Sequence, residues 1–271
     1  MKTEMLRRKY STRTIKSYLD VVKTFLKWIN KNREDYSDDL QRIRKSDVKE
    51  YLNTLHNKSG STINVHLQSL KFMMEEILHK NCYVHIRFSK TPKQAPEYLT
   101  KEELISLFNA INNAKHKLMI KLLYGAGLRV SELVNLRVRD FEFNDNSGWV
   151  RHGKGNKDRL FIIPISLKNE LMGHISENEL DHNEFIFTGN NGHYSVRSIQ
   201  EIINNATKKA KIKKNVHPHT LRHSFATHLM ENEYDAITVQ SLLGHNDVRT
   251  TMIYAHVVKP KVLDVKSPLD C

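Results

Sequence analysis

A segment without helical periodicity, "FSKTPKQAPEYL", restricts the fold more than any other feature, because it places Pro92 and Pro96 between two helical regions. Proline lacks a backbone N–H and disfavours the helical conformation in the residue before it. Apolar residues at helical spacing occur before this segment and again after it. We therefore predict three parts: a helical domain at residues 1–90, a linker at 91–97 and a second domain at 98–271.

The predicted first domain consists of amphipathic helices. The stretch "TRTIKSYLDVVKTFLKWIN", residues 12–30, has apolar side chains three and four positions apart, as one helix face requires: Ile15, Leu19, Val22, Leu26 and Ile29. The stretch "STINVHLQSLKFMMEEIL" repeats this spacing, and "SDVKEYLNTL" begins at Ser46, a predicted N-cap. The basic side chains on the outer faces by default indicate only a solvated surface.

The predicted second domain mixes helices with one hairpin. Thr100 and Glu103 form a capping box that opens a helix reaching about Ala110, and a helix around 116–124 ends at "GAG". The stretch "GWVRHGKGNKDRLFIIPI" alternates and turns like a β-hairpin with a glycine-rich basic tip. Helical patterns return from about residue 196. The expected fold class is mainly α with a small β-sheet, in which a helical domain precedes an α+β domain.

The charge of the chain favours a polyanionic partner. Its formal net charge is +13 and its pI is near 9.6. Residues 1–90 contain 19 Lys and Arg against 10 Asp and Glu, so most of the surplus lies in the first domain. A basic surface attracts phosphate backbones, although the same charge also promotes solubility in proteins with other functions.

Cysteine usage and hydropathy exclude several classes of protein. Cys82 and Cys271 are the only cysteines, which rules out a disulfide framework or a zinc ribbon. The first residues lack an apolar leader segment, and no run of 18 apolar residues occurs. We expect a cytoplasmic protein that neither crosses a membrane nor binds one.

The stretch "HPHTLRHSFATHL", residues 217–229, is unusually rich in histidine. Pro218 suits the first turn of a helix, and this helix would place His219 and Arg222 close together near its positive end. His219 and His223 have the spacing of two metal ligands, but no "HExxH" pattern or third ligand accompanies them. Because an arginine beside a ligand disfavours a cation, a phosphate site is the favoured interpretation and a metal site the weaker alternative.

Three further residues have chemical interpretations that are weak when each is taken alone. In "GAGLRVSEL", Arg129 is followed three residues later by Glu132, whose carboxylate would hold the guanidinium in place. Lys154 lies between two glycines at the hairpin tip, where it would reach DNA. Tyr254, in "LLGHNDVRTTMIYAHV", also fits a half-buried helical tyrosine.

Taken in order, "GLRVSEL", "GKGNKDR", "HPHTLRHSFATHL" and "LLGHNDVRTTMIYAHV" resemble the tyrosine recombinase/integrase family, and most of all its Xer-type members. The similarity covers residues 98–258, and the terminal "VKSPLDC" is similar to tails of integron-type integrases. By this resemblance, Arg129 matches the first catalytic arginine, Lys154 the hairpin lysine, His219 and Arg222 the His-x-x-Arg pair, His245 the second histidine, Tyr254 the nucleophile and Glu132 a supporting acidic position.

The resemblance implies a site-specific recombinase that joins Tyr254 to the 3' phosphate of a cleaved strand and passes through a Holliday junction. It also implies that His219 takes up the tyrosine proton and that Lys154 protonates the leaving oxygen, with no metal or cofactor. The implied partners are double-stranded DNA, three further protomers in a homotetramer on two DNA sites, and in some systems a second recombinase or accessory protein. Two alternatives are a type IB topoisomerase-like enzyme and a DNA-binding protein without strand exchange.

Overall fold

The computed structural model describes residues 1–33, 39–80, 97–151, 158–189 and 192–244. The chain divides into two compact units, Met1–Lys93 and Gln94–Cys271. Most of the predicted linker lies outside the described residues. In the described ranges, no helix has both the length and the apolarity needed to cross a bilayer.

The described part of the first unit is helical, as predicted. Its elements are α1 (Lys2–Arg7), α2 (Thr12–Asn32), a 3-10 turn (Leu40–Arg42), α3 (Lys45–Asn53), α4 (Gly60–Phe72) and a π-helical turn (Met73–Ile77). The Ser11 side chain caps α2 by accepting the Thr14 N–H at 3.1 Å. Three of the five predicted face residues of α2 are buried, and the other two, Leu19 and Leu26, are half-buried. The buried Phe25 beside them packs edge-on against Tyr51 at 5.2 Å between ring centroids.

The prediction of Ser46 as the N-cap of α3 is wrong. The helix begins one residue earlier, at Lys45, and Arg44 occupies the capping position. The Asp47 carboxylate accepts the Arg44 N–H at 2.6 Å and the Arg33 guanidinium at 2.6 Å. A buried carboxylate with two donors therefore fixes the start of the helix, and Ser46 lies inside its first turn.

The second unit contains seven α-helices and two small sheets within its described residues. The elements are α5 (Lys101–Asn109), α6 (Ala114–Gly125), α7 (Val130–Leu133), a 3-10 turn (Val138–Asp140), β1 (Phe141–Glu142), β2 (Ser147–Val150), β3 (Arg159–Ile162), α8 (Ile165–Glu177), β4 (Thr188–Gly189), β5 (Gly192–His193), α9 (Val196–Lys209), α10 (Pro218–Glu231) and α11 (Ala236–Leu243).

The predicted capping box and hairpin are both present. The Thr100 N–H donates to Glu103 at 2.8 Å, and the Glu103 N–H donates to the Thr100 hydroxyl at 3.2 Å. Strands β2 and β3 pair antiparallel, with Gly148 opposite Phe161, while β1 adds a third strand beside β2. The structure thus confirms a mainly helical fold with small sheets.

Helix α10 lies at the centre of the second unit. Its predicted apolar stripe is largely buried, with Leu221 and Phe225 enclosed and Leu229 partly exposed. It packs against α6 on one side and against α11 on another, and α11 also contacts β3. This arrangement brings α7, β3, α10 and the end of α11 to one place.

Candidate active site

A tight turn after α6 begins the site. Gly127 has φ +56°, and a Cβ at this position would lie 2.3 Å from the Phe225 ring of α10. Only glycine satisfies both the backbone conformation and this close approach. The turn directs the Gly127 carbonyl toward α10, where it accepts a hydrogen bond from the Arg222 guanidinium. The "GAG" segment therefore sets the spacing between α10 and the residue that opens α7.

Arg129 occupies the N-cap position of α7, and Glu132 lies in the first turn of that helix. The Arg129 guanidinium donates to Glu132 Oε1 at 2.6 Å, and its backbone N–H donates to Oε2 at 2.8 Å. The ion pair expected from "GLRVSEL" is therefore present. Glu132 is almost fully buried, whereas 19% of the Arg129 side chain remains exposed.

Two further arginines reach the same carboxylate from distant parts of the chain. Arg159, at the start of β3, donates from Nη2 to Glu132 Oε2 at 2.6 Å. Arg222, on α10, places Nη1 3.9 Å from Glu132 Oε2. Both side chains are buried. One carboxylate thus holds three guanidinium groups that the sequence separates by 93 residues.

The C-terminal end of α11 accepts hydrogen bonds from the same three arginines. Arg159 donates to the Leu242 carbonyl, Arg222 donates to the Leu243 carbonyl, and Arg129 donates to the Gly244 carbonyl at 3.2 Å. The last carbonyls of a helix lack intrahelical partners and carry partial negative charge. The arginines therefore satisfy this helix end and fix its position.

The cluster carries an excess of positive charge. Burial by itself raises the pKa of Glu132, but the guanidinium of Arg159 and the contacts with Arg129 outweigh it and hold that pKa below its usual range. Glu132 is accordingly ionised at neutral pH. Three permanently charged guanidinium groups share this one negative charge, so the partly open side of the cluster favours an anion.

His219 lies at the beginning of α10, next to this cluster. Its side chain reaches solvent but is partly enclosed, and the ring of the N-cap residue, His217, stands at 78° to its ring with 6.2 Å between centroids. Partial burial, followed by the charges of His217, Arg222 and Arg129, lowers the pKa of His219 below its ordinary value. The imidazole is therefore neutral near pH 7 and able to accept a proton.

His223, the other histidine considered as a metal ligand, is half-buried one turn further along α10. Burial and the neighbouring His219, His217 and Arg222 lower the pKa of His223 to about 4. Among the residues that the structure describes, no three His, Cys, Asp or Glu side chains come together as a metal-binding group.

The described structure therefore brings together four predicted site residues: Arg129, Glu132, His219 and Arg222. Lys154, His245 and Tyr254 lie outside the described residues. Sequence reasoning missed Arg159. A signal was available, because Arg159 alternates with Leu160 and so belongs to the same strand face as the buried Phe161.

The first unit carries a separate groove between α2 and α4. Its lining includes the basic residues Arg13 and Lys16, the hydroxyl groups of Thr24 and Thr62, and His66. Val65 also lies in this groove and is 38% exposed. The groove combines cationic, hydrogen-bonding and apolar groups with one carboxylate, that of Asp20, on one helical surface.

Comparison with known families gives two matches that together span most of the chain. The description "Phage integrase family" matches residues 97–260, which include every residue of the arginine cluster. The description "Phage integrase, N-terminal SAM-like domain" matches residues 1–83.

Several curated relatives match over nearly their full length. A tyrosine recombinase of Thermosipho africanus is 34% identical, over 97% of this chain and 95% of its own. Tyrosine recombinase XerD of Oceanobacillus iheyensis is 33% identical, over 96% and 93% of the two chains. Tyrosine recombinase XerA of Pyrococcus furiosus is 36% identical, over 91% and 84%.

Solved structures share the fold. The crystal structure of XerA recombinase is 29% identical and covers 97% of this chain and 93% of its own, with a TM-score of 0.56. The XerH site-specific recombinase bound to difH substrate reaches a TM-score of 0.75 at 23% identity, over 92% and 77% of the two chains. Since the family descriptions and the full-length relatives agree with the arginine cluster, this chain belongs to the phage integrase family and is a tyrosine recombinase of the Xer-like type.

Proposed function

We propose that the arginine–glutamate cluster holds the phosphodiester at which this site-specific recombinase cleaves and rejoins DNA strands. The observation that carries the proposal is the convergence of Arg129 and Arg222 beside the neutral His219, with Glu132 fixing the guanidinium groups. Guanidinium forks suit the non-bridging oxygens of a phosphodiester and stabilise the charge that develops on them during attack.

In the proposed reaction, the hydroxyl oxygen of Tyr254 forms a bond to phosphorus while the bond from phosphorus to the 5' oxygen breaks. His219 takes the tyrosine proton, Lys154 gives a proton to the departing 5' oxygen, and His245 donates a hydrogen bond to the phosphate. The product is a 3'-phosphotyrosyl link and a free 5'-hydroxyl. Attack of that hydroxyl on the partner strand's link restores a phosphodiester without ATP and produces a Holliday junction.

Residues 1–90 are proposed to form the core-binding domain, and the groove between α2 and α4 to contact the DNA backbone. The support is its combination of Arg13 and Lys16 with hydroxyl and apolar groups, together with the basic charge of this part of the chain. If each of these two cations contacts one phosphate, replacing both by alanine lowers the slope of log affinity against log salt by about 1.8.

Four protomers on two DNA sites are proposed as the active assembly, in the cytoplasm. The sequence supports a role for the tail, because Val257, Val258, Val262, Leu263 and Val265 follow the proposed nucleophile at close spacing. Removing residues 259–271 should spare binding to a single site and impair synapsis. Normal recombination by the truncated chain would show that the tail does not connect subunits.

The decisive experiment uses a suicide substrate whose nick releases a short fragment after cleavage, so that the covalent adduct accumulates. Wild-type protein should form a denaturant-resistant adduct, and Tyr254→Phe should bind the same DNA without forming one. The matched control is Tyr234→Phe, which removes the hydroxyl of a tyrosine that is 53% exposed and should leave the adduct unchanged. An adduct that persists in Tyr254→Phe would refute the assignment. Holliday junctions among the wild-type products would separate strand exchange from topoisomerase-like resealing.

A further inference from the structure

Arg159 has an unusual position for a charged residue. Along β3 the buried and exposed positions alternate, and Arg159 occupies a buried one together with Phe161. A charged side chain inside a protein needs partners for its charge and its donors. Its Nη2 and Nη1 find them in the Glu132 carboxylate and the Leu242 carbonyl, which belong to two different elements, while the buried Nε has no hydrogen-bond partner among the described residues.

The side chain also fits closely against the end of α11. Gly244 has φ +60°, and a Cβ at that position would lie 2.5 Å from Cδ of Arg159. The Arg159 side chain thus passes directly beside the bare backbone of Gly244 on its way to Glu132 and Leu242. Only 8% of the Arg159 side chain is exposed, compared with 19% for Arg129, so Arg159 is directed inward.

We propose that Arg159 is a positioning residue for strand cleavage, acting through the C-terminal end of α11. It connects that helix end to the carboxylate that also holds Arg129, and so fixes the point from which the chain continues toward His245 and Tyr254. This inference rests on the proposed function, in which the nucleophile, Tyr254, belongs to the segment that follows Gly244. Arg159 itself does not contact the substrate in this proposal.

The geometry explains why the residue is an arginine. Nη2 donates to Glu132 and Nη1 donates to Leu242, so the two ends of a planar fork join two elements at a fixed separation. A lysine has one compact ammonium group, which keeps a positive charge beside Glu132 but does not reproduce both hydrogen bonds. Arg159→Lys therefore loosens the end of α11 while keeping the charge of the cluster.

The first test compares Arg159→Lys with wild type at saturating DNA, using the suicide substrate. We expect the rate of adduct formation to fall by a factor on the order of 30 to 100, as for a reacting group displaced by a fraction of an ångström. The dissociation constant for DNA should stay within about twofold, since no phosphate contact is removed. A cleavage rate within threefold of wild type would overturn the proposal.

The second test separates positioning of the nucleophile from stabilisation of the phosphate. Hydrogen peroxide is small enough to attack the phosphodiester in place of the tyrosine hydroxyl, so it is supplied to Tyr254→Phe and to Tyr254→Phe combined with Arg159→Lys. Peroxide cleavage should be nearly equal in the two proteins, because the phosphate-holding arginines are retained. If Arg159→Lys lowers the rate of peroxide cleavage as much as it lowers the rate of tyrosine adduct formation, Arg159 acts in phosphate binding and the proposal is overturned.

Controls distinguish these outcomes from a loss of fold and from failure of the proposed function. Arg137→Lys changes another arginine of the second unit, whose guanidinium donates to the Asn183 carbonyl and lies 4.3 Å from the Phe185 ring centroid, and should leave cleavage unchanged. If Arg159→Lys does not fold, Arg159→Gln, which leaves Glu132 beside Arg129 and Arg222, takes its place in the same assays. Failure of both to fold would make Arg159 a determinant of the fold and reject the positioning role. Absence of a Tyr254-dependent adduct in wild type would instead refute the proposed function.

Discussion

Glu132 accepts both the guanidinium and the backbone N–H of Arg129, at 2.6 Å and 2.8 Å. The same carboxylate therefore caps α7 and anchors the arginine cluster. Replacing Glu132 by glutamine leaves three guanidinium groups without their shared counter-charge. We expect the free energy of unfolding to fall by about 3 kcal/mol, measured by urea denaturation, because breaking a buried ion pair leaves uncompensated charge.

Glu103→Gln is the control for that substitution. Glu103 has the same capping geometry at the start of α5, but its partner Lys214 and the carboxylate itself are both partly exposed. Loss of the charge there should lower stability by less than about 1 kcal/mol. Equal losses in the two variants would show that capping, rather than the arginine cluster, accounts for the effect at Glu132.

Cleavage should not depend on a divalent metal. In excess EDTA the wild-type rate should be unchanged, whereas Arg129→Ala or Arg222→Ala should lower it by a factor on the order of 100 to 1,000. Arg222→Ala should also lower stability, because it leaves the Gly127 and Leu243 carbonyls without this donor. Activity that disappears on chelation and returns with zinc would restore the metal interpretation of the histidine-rich helix.

The free energy of unfolding should decrease in acid, and part of this decrease should come from protonation of His223. The pKa of His223 is lowered from the ordinary 6.5 to about 4 in the folded chain, so between these values the unfolded chain binds a proton that the folded chain does not. The contribution is complete above pH 6.5 and is lost as the pH falls toward 4. It amounts to about 1 to 3 kcal/mol, given partial exposure. His223→Asn should flatten this part of the curve of unfolding free energy against pH; an unchanged slope would contradict the assignment.

Lys154→Ala tests the proposed general acid. A substrate with sulfur in place of the bridging 5' oxygen releases a thiolate, which leaves without protonation. Cleavage of this substrate by Lys154→Ala should approach the wild-type rate, while the ordinary substrate should be cleaved on the order of 100 times more slowly. Equal defects on both substrates would make Lys154 a DNA contact and direct attention to Lys157.

Gly244→Ala should disrupt the packing of the site without changing its charge. The new Cβ would overlap Arg159 and would also strain a backbone at φ +60°, so we expect a loss of about 1 to 3 kcal/mol and slower adduct formation. Gly173→Ala is the control, since a Cβ there meets no atom within 4 Å inside α8. That change should stabilise the protein by roughly 0.5 to 1 kcal/mol. Similar thermal shifts in both variants would contradict the close packing of Arg159 on Gly244.

Local patterns were sufficient to predict much of the fold. The apolar spacing of α2 and the capping box at Thr100 depend on neighbours within a few residues, and the hairpin joins the two consecutive strands β2 and β3. All three are present. Ser46 shows where such reasoning fails. Its neighbour Asp47 has a partner, Arg33, that lies 14 residues away and is not visible in a local capping motif.

In the site, too, contacts between near neighbours in sequence were predictable and distant contacts were not. Arg129 and Glu132 are three residues apart, so their contact follows from the start of one short helix. The contacts of Arg159 with Glu132 and Leu242 span 27 and 83 residues and depend on how β3, α7 and α11 pack together. No spacing rule in a single sequence predicts contacts over such separations. Only the alternation of buried and exposed positions along β3 indicated that the Arg159 side chain points into the protein.

The shared anchoring of the three arginines also has an entropic and stereochemical consequence. A mobile arginine side chain loses about 2 kcal/mol of rotamer entropy when it is fixed, and here much of that loss accompanies folding instead of DNA binding. The phosphodiester therefore meets donors whose directions are already set. Donors in fixed positions bind each of its two non-bridging oxygens differently. A phosphorothioate replaces one of these oxygens by sulfur, so its two diastereomers at the cleaved position should react at clearly different rates.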